Sequence, residues 1–413
     1  MYDYPNGQPD NGFDPQTGSP QTRPQQNGPG PIPGQPPYQG GYGPNGGRPP
    51  VNAPRYVAVQ EPGGTVWVPV DANSGGRLRL SPERQSACTR EIFLAGLLFG
   101  GAFLLYLLLR YVFILPLNLN DAFYNLYMND VNVMYLFDTL FTLVCVGVPF
   151  LIAYLLLGAK RLPPRREIPL GAPRSGLEAA LLAVGGVGVC LAVSVAVNYV
   201  MLFAEAFGFS FSSAEMMTES FPLPEGAFGI FLFLLRTAVM PAFVEELAFR
   251  GVILQTLRRY GDWFAIVVTA ILFGLTHGNM TQTPFALAAG VMMGYAAVVT
   301  GSLRASIAMH LLNNGVSCLS QLIVGNADSV TAAALSAILV YGLMLAGLVC
   351  IVVYCVRNKA AFRLRPGDYP FARRKARWFF LAPTMLIAVI IFLIEIVSDV
   401  SYAAPDISSY LYG

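Results

Sequence analysis

The sequence predicts an all-α, polytopic integral membrane protein with about nine transmembrane helices. Three observations lead there. Of the 413 residues, 54% are hydrophobic and only 12% are charged, against roughly a quarter charged in soluble globular chains. Apolar runs approaching the ~20 residues of a bilayer span recur along most of the chain. Lys and Arg fall between alternate pairs of those runs, which is the bias of cytoplasmic loops.

From Met1 to about Pro54 the chain is Pro, Gly, Gln and Asn with hardly an aliphatic residue. Such a segment cannot bury enough apolar surface to offset its ordering entropy, so residues 1–80 are expected to form a disordered cytoplasmic tail. It has neither the basic start nor the apolar core of a cleavable signal peptide. Within it, residues 56–70 carry two alternating runs around Pro62-Gly63-Gly64, a pattern that suits a small hairpin.

Nine candidate spans follow, near 92–115, 133–157, 177–203, 228–257, 262–280, 284–300, 303–324, 332–356 and 378–398. The fifth and sixth are short, as suits helices beside a cavity or packed inside the bundle. Residues 81–165 hold the first two spans, and 361–413 hold a basic loop, the final span and a short outer tail. With the N-terminus inside, the cytoplasmic segments collect Arg77 to Arg90, Lys160 to Arg174, Arg258, Arg259, Arg304 and eight cations from Arg357 to Arg377. The five opposite segments contain acids such as Asp121, Glu219 and Asp328 but no Lys or Arg. The partition predicts a cytoplasmic N-terminus and an outer C-terminus. The six cysteines lie mostly in apolar runs without Cys-x-x-Cys spacing, so neither a disulfide framework nor a thiolate zinc site is signalled.

The chemistry concentrates in Pro241-Ala-Phe-Val-Glu245-Glu246-Leu-Ala-Phe-Arg250, three charges inside an apolar run. Ionisable groups at bilayer depth are costly and are kept where they face a partner or a wet cavity. On a helix Glu246 and Arg250 stack on one face, whereas Glu245 points about 100° away. Glu246 is therefore expected to be neutralised by Arg250, and Glu245 to face a cavity where desolvation makes it a usable general base. A plain helix-locking ion pair would explain Glu246 and Arg250 but leaves the extra glutamate without a purpose. Pro241 cannot donate to the Thr237 carbonyl and should kink the helix just above the acids.

The only two histidines, His277 and His310, fall in the fifth and seventh spans, with Asn314 one turn beyond His310. A lone intramembrane histidine is more often a packing residue than a catalyst, but a chain that uses histidine nowhere else argues for chemistry. Two arrangements fit. Glu245, His277 and His310 can bind a divalent metal such as Zn2+ that activates water. Alternatively, Glu245 activates water without metal, His310 and Asn314 bond the developing oxyanion, and His277 orients the water or assists proton transfer. The ordinary His-Glu-x-x-His zinc-protease helix is absent. Gly290-x-x-x-Gly294 suits close helix packing. Arg110, Asp138, Arg236 and Glu395 are further intramembrane charges that call for partners or snorkelling.

Taken together, Glu245-Glu246-x-x-x-Arg250, Phe273-x-x-x-His277 and His310-x-x-x-Asn314, in this order, resemble the CPBP family of intramembrane proteases. That family includes the CAAX prenyl endopeptidases and the Abi and lysostaphin-resistance-like proteins of bacteria. The resemblance covers Arg236 to Leu322 well and leaves out the first two spans, the last span and the tail. It implies a six-helix protease core within 166–360 and hydrolysis of a peptide bond in a membrane-associated protein or peptide. It also implies a setting in the lipid bilayer of a bacterial plasma membrane, with no nucleic-acid partner. Carried over by position, Glu245 looks like the base, His277, His310 and Asn314 like its partners, and Glu246 and Arg250 complete the first motif. The family has been described both as metalloproteases and, for eukaryotic relatives, as metal-free enzymes, so both arrangements stay open. Two other classes compete: a transporter or proton relay, which predicts a second interrupted segment related to the one at Pro241, and a non-catalytic bacteriocin-immunity scaffold.

Overall fold

The computed structural model describes residues 55–61, 64–70, 82–159, 162–212, 222–365 and 372–402. The chain separates into two compact units, Met1–Arg79 and Leu80–Gly413. In the first, β1 (Arg55–Glu61) and β2 (Gly64–Val70) pair antiparallel, with Val57 opposite Val68. The segment before Arg55, expected to be disordered, lies outside the described residues.

The described part of the second unit is mostly helical. Its elements are α1 (Pro82–Leu119), the short α2 (Asp121–Asn129), α3 (Val131–Leu156), α4 (Gly176–Glu205) and α5 (Gly226–Tyr260). They continue with α6 (Asp262–Leu275), α7 (Gln282–Thr300), α8 (Leu303–Asn326), α9 (Ser329–Arg357), α10 (Ala372–Phe380) and α11 (Pro383–Ser398). Two three-residue strands, β3 (Phe209–Phe211) and β4 (Val400–Tyr402), pair antiparallel. Every apolar run identified in the sequence contains a helix. Among the described residues seven helices are long and apolar enough to cross a membrane, or eight if a bent pair counts as one span.

The shortfall from nine has a local cause. α6 has 14 residues, about 21 Å at a rise of about 1.5 Å per residue, against a hydrocarbon core of about 30 Å. It ends because Gly278 takes a left-handed conformation, φ 65°, and Asn279 turns the chain, its Oδ1 accepting from the Gln282 N–H at 2.8 Å. His277 therefore sits in the turn just past α6 rather than within a span. At the other end, Arg374–Phe380 meets Pro383–Ser398 at 81°. The first of these helices exposes Arg374 and Arg377 and suits the membrane interface, where cationic side chains reach the headgroups, while Lys375 is buried and donates to the Tyr260 carbonyl.

α5 is irregular in the stretch that matters. Two π-helical segments, Leu235–Val239 and Leu247–Leu254, flank regular helix at Met240–Glu246. Pro241 interrupts the hydrogen-bond ladder, and the widened turns absorb the break so that Gly226–Tyr260 continues as one span of 35 residues. A large cluster of buried side chains runs from Phe99 and Phe103 of α1, through Phe249 and Ile253 of α5 and Phe273 of α6, to Met385 and Phe392 of α11. The first and last helices thus pack on the same core as the motif helices. The isolated intramembrane charges find partners: Arg110 bonds Glu395 at 3.1 Å, joining α1 to α11, and Arg236 bonds Asp138 at 2.7 Å, joining α5 to α3.

Candidate active site

α5, α8, and α6 with the turn that follows it bring together the five charged or ionisable motif side chains, Glu245, Glu246, Arg250, His277 and His310, around the Phe273 ring. Arg250 Nη1 donates to Glu246 Oε1 at 2.6 Å, one helical turn away, and both side chains are 0% exposed. The Arg250 guanidinium lies 4.3 Å from the ring centroid of Phe273, so α6 presents an aromatic face to the cation. Arg250 Nε and Nη2 and Glu246 Oε2 have no hydrogen-bond partner among the described residues. The ring replaces the missing acceptors for the cation only in part, which makes this pair dependent on its single strong bond.

His310, on α8, stands between the two glutamates. Its Nδ1 is 3.0 Å from Glu246 Oε1 and its Nε2 is 3.9 Å from Glu245 Oε2. With an ionised acceptor on the Nδ1 side, Nδ1 carries the proton and Nε2 is left toward Glu245. His277 Nδ1 is 2.9 Å from the Phe273 carbonyl oxygen, which can only accept, so here too Nδ1 donates and Nε2 is left over. The Phe273 ring lies edge-on to both imidazoles, at 5.1 Å and 6.1 Å. The glutamates differ as their spacing predicts: Glu245 keeps 21% side-chain exposure while Glu246 has none.

Glu245 and His277 line a cavity of about 110 Å3 whose other walls include Phe103 and Tyr106 of α1 and Val146 and Phe150 of α3. At about 30 Å3 per water, it has room for roughly three to four. These wall residues come from the two spans that the motifs leave out, and nothing in their apolar runs separates cavity-facing from lipid-facing positions. Asn314 is engaged elsewhere. Its Nδ2 donates to the Thr237 carbonyl at 3.0 Å, the acceptor that Pro241 cannot serve, and its Oδ1 accepts from Asn313 at 3.3 Å.

The turn carrying His277 is held from three sides. Tyr106 donates to the Thr276 carbonyl at 3.4 Å. Asp399, just beyond α11, accepts from the Met280 N–H at 2.8 Å with one oxygen and from Ser212 Oγ at 2.8 Å with the other. Asn279 accepts from Thr281 Oγ1 at 2.8 Å. As for a metal, both histidines have the protonation pattern of metal ligands, with Nδ1 donating outward. Yet no group of three or more His, Cys, Asp or Glu side chains among the described residues stands close enough to hold an ion. The donors do not fit a metal in this arrangement.

With this geometry in view, the comparison with known families is specific. Residues 227–316 match the type II CAAX prenyl endopeptidase Rce1-like family. No curated protein and no solved structure matches the chain. The Rce1-like stretch starts at the head of α5 and ends within α8, and it contains Glu245, Glu246, Arg250, His277, His310 and Asn314. It points to a protease-type enzyme, and the long apolar helices make the chain an integral membrane protein. A membrane protease of this kind acts on membrane-associated substrates. The Rce1-like stretch excludes α1, α3 and α11, which supply two cavity walls and the clamp on the His277 turn.

Proposed function

We propose that the chain is an intramembrane endopeptidase in which Glu245 activates water against the peptide bond of a membrane-associated protein or peptide. The observation that carries this reading is the 3.9 Å separation of Glu245 Oε2 from His310 Nε2 beside a small cavity. It is too long for a direct hydrogen bond, yet a water at about 2.8 Å from each can bridge it. Glu245 and Nε2 are both acceptors, so such a water donates both protons to them and turns its lone pairs toward the substrate. Glu246, fixed by Arg250, holds the His310 ring in the required tautomer and orientation.

The steps balance as follows. Glu245 takes one proton as the water oxygen bonds the scissile carbonyl carbon, giving a tetrahedral oxyanion. His277, whose Nδ1 is committed to the Phe273 carbonyl, lines the same cavity with Nε2 as an acceptor and assists the proton transfer between Glu245 and the leaving nitrogen. Glu245 then returns its proton to the leaving nitrogen, the C–N bond breaks, and a carboxylic acid and an amine result. Asn314 serves by holding α8 against the Pro241 gap, which keeps His310 and Glu245 in register. Tyr106 and Phe103 narrow the cavity and limit water entry. The distribution of Lys and Arg supports a cytoplasmic N-terminus.

The direct test is cleavage of a membrane peptide library by purified protein in detergent or nanodiscs. Wild type is expected to cleave, Glu245→Gln to be inactive, and His310→Ala and His277→Ala to lose on the order of a hundredfold or more, in the range of single catalytic groups. Exhaustive chelation is expected to leave the rate unchanged. Activity lost on chelation and restored by Zn2+ would overturn the metal-free mechanism while leaving Glu245 as a site residue.

A further inference from the structure

A second, larger cavity lies away from Glu245. It has a volume of about 810 Å3 and is lined by Arg174, Arg258, Arg357, Lys359, Arg363 and Arg365, together with two carboxylates, Glu178 and Asp262. Six cations against two acids leave a surplus of four positive charges. Asp262 is further occupied by Arg258, at 2.8 Å, so it does little to neutralise the others. Arg258 is 13 residues from Glu245 along α5, about 20 Å at helical rise, so this is a separate site.

The pocket occurs where α4 and α6 begin and α7 and α9 end, hence at one face of the membrane, in the headgroup layer. Its rim is built rather than loose. The Asp262 N–H donates to the Arg365 carbonyl at 3.0 Å, and Arg365 Nη2 donates to the Arg258 carbonyl at 2.9 Å. Trp263 Nε1 donates to the Phe362 carbonyl at 3.1 Å, and the Tyr295 hydroxyl donates to the Ala361 carbonyl at 2.5 Å. The Trp263 and Tyr295 rings stack at 5.9 Å. The segment after α9 is thus pinned across α6 and α7 and holds its cations over the cavity. A cytoplasmic loop that merely follows the charge bias of membrane proteins has no need of this scaffold.

We propose that this pocket binds a phosphate-bearing anion, its arginines pairing with phosphate oxygens as guanidinium forks do. Its volume falls in the range of small-molecule sites, about 300–1,000 Å3. A lipid headgroup and a soluble phosphate share the chemistry. The location at span ends makes the anionic lipid the expected source.

The test is native mass spectrometry of the full-length chain in detergent, titrated separately with phosphatidylglycerol, phosphatidylcholine and inorganic pyrophosphate. Wild type is expected to retain phosphatidylglycerol over zwitterionic phosphatidylcholine. Each surface cation is worth roughly fivefold in lipid affinity, so the triple variant Arg357→Gln, Lys359→Gln, Arg363→Gln is expected to lose on the order of a hundredfold. Lys359→Gln alone, at an exposed position, is expected to lose roughly fivefold with an unchanged melting temperature. It therefore gives a readout even if the triple variant folds poorly. Phosphatidylglycerol retained against pyrophosphate assigns the site to lipid, and pyrophosphate binding that is lost in the variants assigns it to soluble phosphate. Absence of any anion preference, or variants that bind as wild type does, would overturn the proposal, and neither result depends on peptide cleavage.

Discussion

Glu245 and Glu246 are adjacent in sequence and opposite in circumstance, because a helix turns about 100° per residue. One faces a cavity and the other is sealed against Arg250. Removing the charge at position 246 leaves a guanidinium buried without its counter-charge, a loss on the order of 3–5 kcal/mol for a broken buried pair. Glu246→Gln is accordingly expected to lower the melting temperature sharply, while Glu245→Gln shifts it little. Equal melting temperatures for the two variants would show that the pair does not lock α5. Asn314→Leu deprives the Thr237 carbonyl of its donor and is expected to cost about 1–3 kcal/mol, together with most of the cleavage rate. If Asn314 instead bonded the oxyanion, the rate would fall with stability unchanged, so measuring both on the same preparation separates the two roles.

At the scale of elements, the site depends on how closely α6 and α7 approach. A Cβ on Gly290 would stand 2.8 Å from the Ala270 Cα, inside any real carbon contact, and the obstacle is backbone that cannot swing away. Gly290→Val is expected to push α7 from α6, destabilise by about 1–3 kcal/mol, and move the turn that carries His277. Wild-type melting and wild-type cleavage in that variant would refute the close contact. α9 starts from Asp328, whose carboxylate accepts the Val330 and Thr331 N–H groups at 3.1 and 3.0 Å. Hydrogen bonds from the Thr331 side chain and backbone hold its carboxyl below the ordinary aspartate value. A depressed folded-state value means that the cap stabilises above the unfolded aspartate value, about 3.9, and is lost as pH falls through the folded one. The melting-temperature gap between wild type and Asp328→Ala should therefore close in strongly acidic buffer. A gap independent of pH would contradict it.

Helix positions, the different faces of the two glutamates and the pairing of Glu246 with Arg250 were legible in the sequence because each follows from local spacing. The end of α6 was less so: the apolar run continues toward Thr281, and only the Gly278-Asn279 turn shows where the helix stops. Asn314 was visible as a motif residue, but its bond to the Thr237 carbonyl depends on how α8 crosses α5, which no spacing on α8 encodes.

For the whole molecule, the chief surprise is how much of the site's surroundings comes from outside the Rce1-like stretch. Phe103 and Tyr106 wall the cavity, and Asp399 and Tyr106 clamp the turn after α6. Hydropathy cannot show this, because an aromatic side chain facing a cavity and one facing lipid look alike in an apolar run. The contact of Arg110 with Glu395 spans 285 residues of sequence, a pairing that only the fold reveals. It predicts that Arg110→Glu and Glu395→Arg each weaken α1–α11 packing and that the double exchange recovers part of the loss in a double-mutant cycle on melting temperature. Strictly additive losses would mean that the pair contributes nothing to joining the first and last helices.

The central claim is that Glu245 is the water-activating group of a membrane endopeptidase. It is tested most directly by following one membrane peptide cleaved by wild type and by folded Glu245→Gln, with product ends identified by mass spectrometry. The account predicts cleavage at a defined peptide bond by wild type and none by the variant at matched melting temperature. Equal cleavage by both proteins would contradict it.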